Sequence, residues 1–112
     1  MEIEVRGRQV RIGDRTVELP HAVVQQLRLG SLIVLRVEPV PGQLFNRNVF
    51  SFDADARLVW QIAESPHGTE PDKPFMDLHV DEQGELFAGN WNGVVYRVDT
   101  ETGALAVSGF DK

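Results

Sequence analysis

Short runs of alternating apolar residues, each closed by a cluster of Gly, Asn, Asp or Pro, succeed one another along nearly the whole chain, and this punctuation restricts the fold more than any other feature. Ile3 and Val5, Val10 and Ile12, and Val17 and Leu19 keep the period of two of half-buried strands, with Gly7-Arg8 and Gly13-Asp14 as turns between them. An N-terminal meander is expected. Ser31 to Val37 is a near-continuous apolar run rich in β-branched residues, which predicts a central strand covered on both faces. Asn48 to Phe52 and Leu58 to Ile62 flank the turn Asp53 to Arg57, and four more strands follow: Phe75 to Val80, Glu85 to Ala88, Val94 to Val98 and Ala104 to Val107. Loops such as Asn90-Trp91-Asn92-Gly93 between such runs are strong hairpin signals. A helix fits in one place only, His21 to Leu29, where Pro20 suits the start, Gly30 the stop, and Val23, Val24 and Leu27 share a face. Ser65 to Pro74, with three prolines and a glycine among polar residues, reads as a loop and as the most mobile segment. The expected class is mainly β, built of antiparallel meanders with at most one short helix.

With 112 residues the chain sustains one core, and its 42% hydrophobic and 25% charged residues are those of an ordinary globular domain that folds without a cofactor as scaffold. There is no apolar run of the ~18 residues a membrane span needs, and Met1-Glu2-Ile3-Glu4 lacks the features of a signal peptide, so the expected location is the cytoplasm, away from membranes. The lack of cysteine removes disulfides, thiolate metal sites and a cysteine nucleophile. A net charge of −6 argues against nucleic acid as a partner. It is unevenly spread: Met1 to Arg36 carries six arginines against four carboxylates, and Val37 to Lys112 five basic against thirteen acidic residues. The acidic part suits a basic protein partner; a second copy of the chain, as a symmetric homodimer, is the other expected partner, because the central strand needs cover and the chain offers a +2 segment to meet its −8 remainder.

An internal repeat organises the rest. Phe50-Ser51-Phe52-Asp53 aligns with Tyr96-Arg97-Val98-Asp99 at an offset of 46, and Gly30-Ser31-Leu32-Ile33 with Gly84-Glu85-Leu86-Phe87 at an offset of 54, which places an insertion of eight residues in the first copy around Pro39 to Gln43. Leu58-Val59-Trp60 then corresponds to Leu105-Ala106-Val107. The layout is a single domain over 1–112, with the N-terminal meander and short helix in 1–29, the first repeat in 30–64 and the second in 75–110. Asp53, Asp99, Thr102 and Gly103 read as structural turn residues. Tyr96 to Gly103 resembles the blade-closing motif of quinoprotein-type β-propellers, aromatic-x-aliphatic-Asp-x-x-Thr-Gly followed by a Trp four residues after the Gly. The first copy keeps the Asp and the Trp as Asp53 and Trp60; the second keeps Thr102-Gly103 and has Val107 in place of the Trp. The resemblance covers about Gly30 to Val107, extends to small uncharacterised bacterial proteins of this layout, and implies blade-like hairpins whose Trp docks on the neighbouring blade. Two blades cannot close a ring, so the quinone cofactor is not carried over.

Candidate chemistry is sparse. His21, His67 and His79 match no recurring metal spacing, and Asp53-x-Asp55 lacks the Gly and closing Glu of a calcium loop. No metal or cofactor is expected. Trp60 follows the apolar pattern of Leu58 and Ile62 and reads as core. Trp91 is a large side chain inside a turn, and an indole flanked by the amides of Asn90 and Asn92 is the chemistry of binding surfaces. Three function classes follow. The first is a non-catalytic protein interaction module, of which an immunity-type neutraliser of a basic toxin is one form. The second is a small-molecule binding protein with a site between the repeats, lined by Trp60 and Trp91, or under the Ser65 to Pro74 loop. The third is an enzyme using His79 with a carboxylate such as Asp81.

Overall fold

The computed structural model describes residues 2–110 and contains eleven strands: β1 (Ile3–Arg6), β2 (Gln9–Ile12), β3 (Arg15–Glu18), β4 (Ala22–Leu29), β5 (Leu32–Glu38), β6 (Val49–Phe52), β7 (Leu58–Gln61), β8 (Phe75–Val80), β9 (Leu86–Asn90), β10 (Val94–Val98) and β11 (Leu105–Phe110). Every pairing is antiparallel between neighbours in sequence, giving a three-stranded sheet β1-β2-β3 and two four-stranded sheets, β4-β5-β6-β7 and β8-β9-β10-β11. No helix occurs among the described residues.

His21 to Leu29 is therefore a correction. The segment forms the edge strand β4, whose exposure alternates residue by residue, with Leu27 and Leu29 packed against the core between the four-stranded sheets. The helical reading takes Val23, Val24 and Leu27 as one face; in the strand Gln25, Leu27 and Leu29 turn towards the second four-stranded sheet, the bulge between Val23 and Gln25 turns Val23 to the meander side, and the β-branched pair favours a strand. Gly30-Ser31 is a two-residue hairpin joining Leu29 to Leu32, not a helix stop. The first repeat thus starts at Ala22 rather than at residue 30.

The first four-stranded sheet lies in the middle of a stack and buries both faces. On one side Ile33, Leu35, Val37, Phe50 and Phe52 meet Val10, Ile12 and Leu19 of the N-terminal meander. On the other, Val34, Val49, Trp60 and Ile62 meet Phe75, Leu78, Leu86, Val94 and Tyr96 of the second sheet. The cover that Leu32 to Val37 demands is supplied within one chain. Each fully buried aliphatic side chain contributes about 1.5–3 kcal/mol, so both interfaces hold the stack.

Register fixes the internal correspondence. Phe50 and Tyr96 occupy the same place in the third strand of their sheets, facing Leu35 and Ala88 respectively, which supports the offset of 46. The upstream offset is corrected to 53, because Ile33 lies opposite Phe52 as Leu86 lies opposite Val98. A one-residue slip exchanges the faces of a strand, so the difference decides which side chains meet. Likewise Trp60 pairs with Ser51 and Ala106 with Arg97, so Ala106, not Val107, matches Trp60.

Side chains of the middle sheet lock the second sheet in place. The Gln25 carboxamide donates to Leu78 O (2.7 Å) and accepts from Leu78 N (3.1 Å), which satisfies the outer edge of β8 as a neighbouring strand would. Asn48, 1% exposed, donates to Val37 O and Phe75 O (both 2.9 Å) and accepts from Phe75 N (2.8 Å). Trp60, 5% exposed, donates from Nε1 to Thr100 O (2.8 Å), and its ring lies where a Cβ on Gly103 would come within 2.9 Å of Cε3. Glycine is required there by that approach as well as by a φ of +80°.

Candidate functional site

The hairpin between β9 and β10 is held from beneath by amides. Asn90 donates from Nδ2 to Lys73 O (2.9 Å), and its Oδ1 accepts from Asn92 N (3.0 Å). Asn92 donates to Ser65 Oγ (2.8 Å) and His67 O (3.0 Å), while its Oδ1 accepts from Val94 N (2.8 Å). Trp91 N donates to Pro74 O at 3.0 Å. With both flanking amides turned into the protein, the indole is left 61% exposed.

The segment Ser65 to Pro74 has no regular structure, yet it is tied down along its length. Ser65 Oγ is hydrogen-bonded to Tyr96 Oη at 2.5 Å, and His67 Nδ1 lies 2.9 Å from the same hydroxyl. Lys73 Nζ donates to His67 O (3.1 Å), and Asn46 spans the segment by donating to Pro71 O (2.8 Å) and accepting from Lys73 N (2.9 Å). Ser65 is 2% exposed, so this Ser-Tyr-His cluster holds a loop and offers no accessible nucleophile.

Two concavities meet at Trp91. One, of about 330 Å³, opens between the two four-stranded sheets and is walled by Pro39, Val40, Pro41, Met76 and Trp91. Arg36, Glu38 and Asp72 line it as well. The other, of about 440 Å³, lies on the outward face of β8-β9-β10 and is lined by Met76, Asp77, His79, Gly89, Trp91 and Val95. Val40 and Met76 are 52% and 45% exposed, so three large apolar side chains converge on one place. Arg36 donates from Nε to Gln25 Oε1 (3.0 Å). Its burial lowers the guanidinium pKa, against the opposing fields of Asp77 and Glu38.

Of the residues singled out in the sequence for a binding surface, Trp91, Asn90, Asn92 and Trp60, Trp91 alone is exposed. Asn90 and Asn92 position it with internally satisfied amides, and Trp60 is spent between the sheets, lining neither concavity. The turn residues behave as turn residues: Asp53 Oδ1 accepts from Asp55 N and Arg57 N (both 2.9 Å), Asp99 Oδ1 from Glu101 N (2.9 Å), and Thr102 Oγ1 from Ala104 N (3.2 Å). His79 is stacked on Phe87 with ring centroids 5.2 Å apart, while its candidate carboxylate Asp81 accepts from Gln83 N and Glu85 N. The His79–Asp81 pair is not assembled. No group of three or more His, Asp or Glu able to hold a metal occurs among the described residues. Val40, Met76 and Arg36 were missed. The inserted segment around Pro39 to Gln43 was the available signal for Val40, since it forms one wall of the inter-sheet concavity.

Fold and site together define an all-β domain of three antiparallel sheets that presents a braced tryptophan between two concavities. Residues 1–110 match the family model described as "Domain of unknown function (DUF7957)", and the chain belongs to that family. No curated protein and no solved structure matches it.

Proposed function

We propose that this domain is a non-catalytic binding module that holds a partner protein against the patch of Val40, Met76 and Trp91. The observation that carries the reading is the bracing of Trp91: six hydrogen bonds made by the side chains of Asn90 and Asn92 and by Trp91 N fix the hairpin while the indole stays out in water. A large exposed ring costs solubility unless it is used, and a pre-ordered one loses little conformational freedom on binding. The acidic surface favours a basic partner, as an immunity-type neutraliser would have, and a cytoplasmic setting goes with that reading. We read the two four-stranded sheets as successive blades of a propeller-type array that stops at two, a view supported by the packing of Trp60 on Gly103. A small ligand in the inter-sheet concavity is the second reading, favoured by a volume of about 330 Å³.

Panning a random linear peptide library displayed on phage tests the first reading, with wild type and Trp91→Ala immobilised in parallel. Clones enriched on wild type are expected to fall about tenfold or more in recovery on Trp91→Ala, as for a central hot-spot residue. Equal recovery on both proteins overturns the proposal.

A further inference from the structure

Met76 and Trp91 line both concavities, so they form a ridge with a pocket on each side. The two pockets differ in chemistry. Two carboxylates, Glu38 and Asp72, line the inter-sheet pocket against the single cation Arg36, a local balance of −1, and a third, Asp77, on the outward side of the ridge, is near enough for its field to act on Arg36. None of these three carboxylates makes an ion pair within 4 Å among the described residues, in contrast to Glu2, Glu4, Glu18 and Glu85, which do. The outward pocket carries Val95 and the bare backbone of Gly89, where an added Cβ would meet no atom within 4 Å. That space is open and is bounded by His79 and Asp77.

We infer that the ridge is straddled by an extended segment of a basic partner, which places a Lys or Arg side chain in the inter-sheet pocket and an apolar side chain over Gly89. This rests on the proposed binding role and names the chemistry of its partner. Charge selects the first side chain: a cation gains the unpaired carboxylates and lies beside the Trp91 face, where a cation–π contact adds to the attraction. Arg36, with Nε already used by Gln25, keeps donors for a main-chain carbonyl of the segment. A slender segment suits the site better than a second copy of this chain. Four strands about 4.8 Å apart and about five residues long expose on the order of 400 Å² per copy, roughly half of what each partner contributes to a stable interface.

The same phage panning, read by sequencing, tests this. On wild type the recovered peptides should be enriched at least about threefold in Lys and Arg, with an apolar residue near the basic one. On Asp72→Asn/Asp77→Asn the basic enrichment should vanish, and synthetic peptides from the wild-type pool should lose about fivefold or more in affinity, with a weaker salt dependence. Gly89→Val, which fills only the outward pocket, should remove the apolar preference and keep the basic one. Circular dichroism confirms that each variant is folded. Peptides that depend on Trp91 but are neutral or acidic would overturn the inference and leave the binding role standing. Peptides indifferent to Trp91, or none at all, would overturn both.

Discussion

The outward face of the meander β1-β2-β3 and the outward face of β8-β11 close the same stack at opposite ends, and they do so differently. On the meander, Glu2, Glu4, Arg6 and Arg11 form a mesh of ion pairs at 3.2–3.6 Å over the solvent side. Such exposed pairs add little stability, so the mesh serves to keep a terminal sheet wet and unpaired. At the other end the cover is partial. By register, the positions that in the middle sheet hold Leu27, Ser51 and Trp60 hold His79, Arg97 and Ala106 here, where His79 stacks on Phe87 and Arg97 pairs with Glu85 at 3.6 Å. The other half keeps Met76, Val95 and Trp91 in the open. In the binding role proposed above, this exposed half is the face that takes the partner.

The largest effect expected from breaking this comparison sets a buried position of the meander against an exposed one of the patch. Val10 is fully buried against the middle sheet, so Val10→Asp strands a charge in an apolar layer and should cost about 4 kcal/mol or more, enough to unfold the protein or detach the meander. Met76→Asp should stay within about 0.5–1 kcal/mol in urea titration, because the side chain already lies in water. Similar losses from the two would mean that the meander is no covering layer.

A second change makes the ends more alike in a different sense. His79→Leu with Arg97→Ser restores on the second sheet the residues that the middle sheet uses to bury its face. The double variant should associate at concentrations where the parent does not, as read by sedimentation velocity. Unchanged sedimentation would show that those two side chains are not what keeps this face apart from other sheets.

Much of this was legible in the residues. Period-two runs and Asx-Gly turns locate ten of the eleven strands, because each run packs one face and each turn needs its own chemistry. The exception is β4, where Pro20 and Gly30 imitate helix ends and the deciding fact, that Leu27 and Leu29 pack across the interface, is tertiary. Register was misjudged by one residue at Gly30 for the same reason: local similarity of Gly30-Ser31 to Gly84-Glu85 says nothing about which carbonyl pairs with which amide. Trp91 stood out as an oversized residue in a turn. Its neighbours in space, Val40 and Met76, are separated from it by 51 and 15 residues and come together only through Asn48, Gln25 and the seam they close.

The smallest effect compares the two four-stranded sheets at one turn. Asp53 to Arg57 and Asp81 to Glu85 adopt the same loop, each with its Asp Oδ1 accepting from the residues two and four further on, and each with its fourth residue at positive φ, 63° for Ala56 and 80° for Gly84. An L side chain in that region costs about 1–2 kcal/mol, partly offset by about 0.4–1 kcal/mol because alanine restricts the unfolded chain. Nothing lies within 4 Å of a Cβ built on Gly84, so Gly84→Ala meets the backbone cost alone and should lose about 0.5–1 kcal/mol. Ala56 is different, since its methyl packs against the core under the meander. Ala56→Gly should relieve the strain and forfeit that contact, worth up to about 0.8 kcal/mol, leaving stability within about 0.5 kcal/mol of the parent. Urea midpoints for the two single variants decide it: a gain for Ala56→Gly as large as the loss for Gly84→Ala would show that the methyl contributes nothing, and that the two turns differ only in the residue at the strained position.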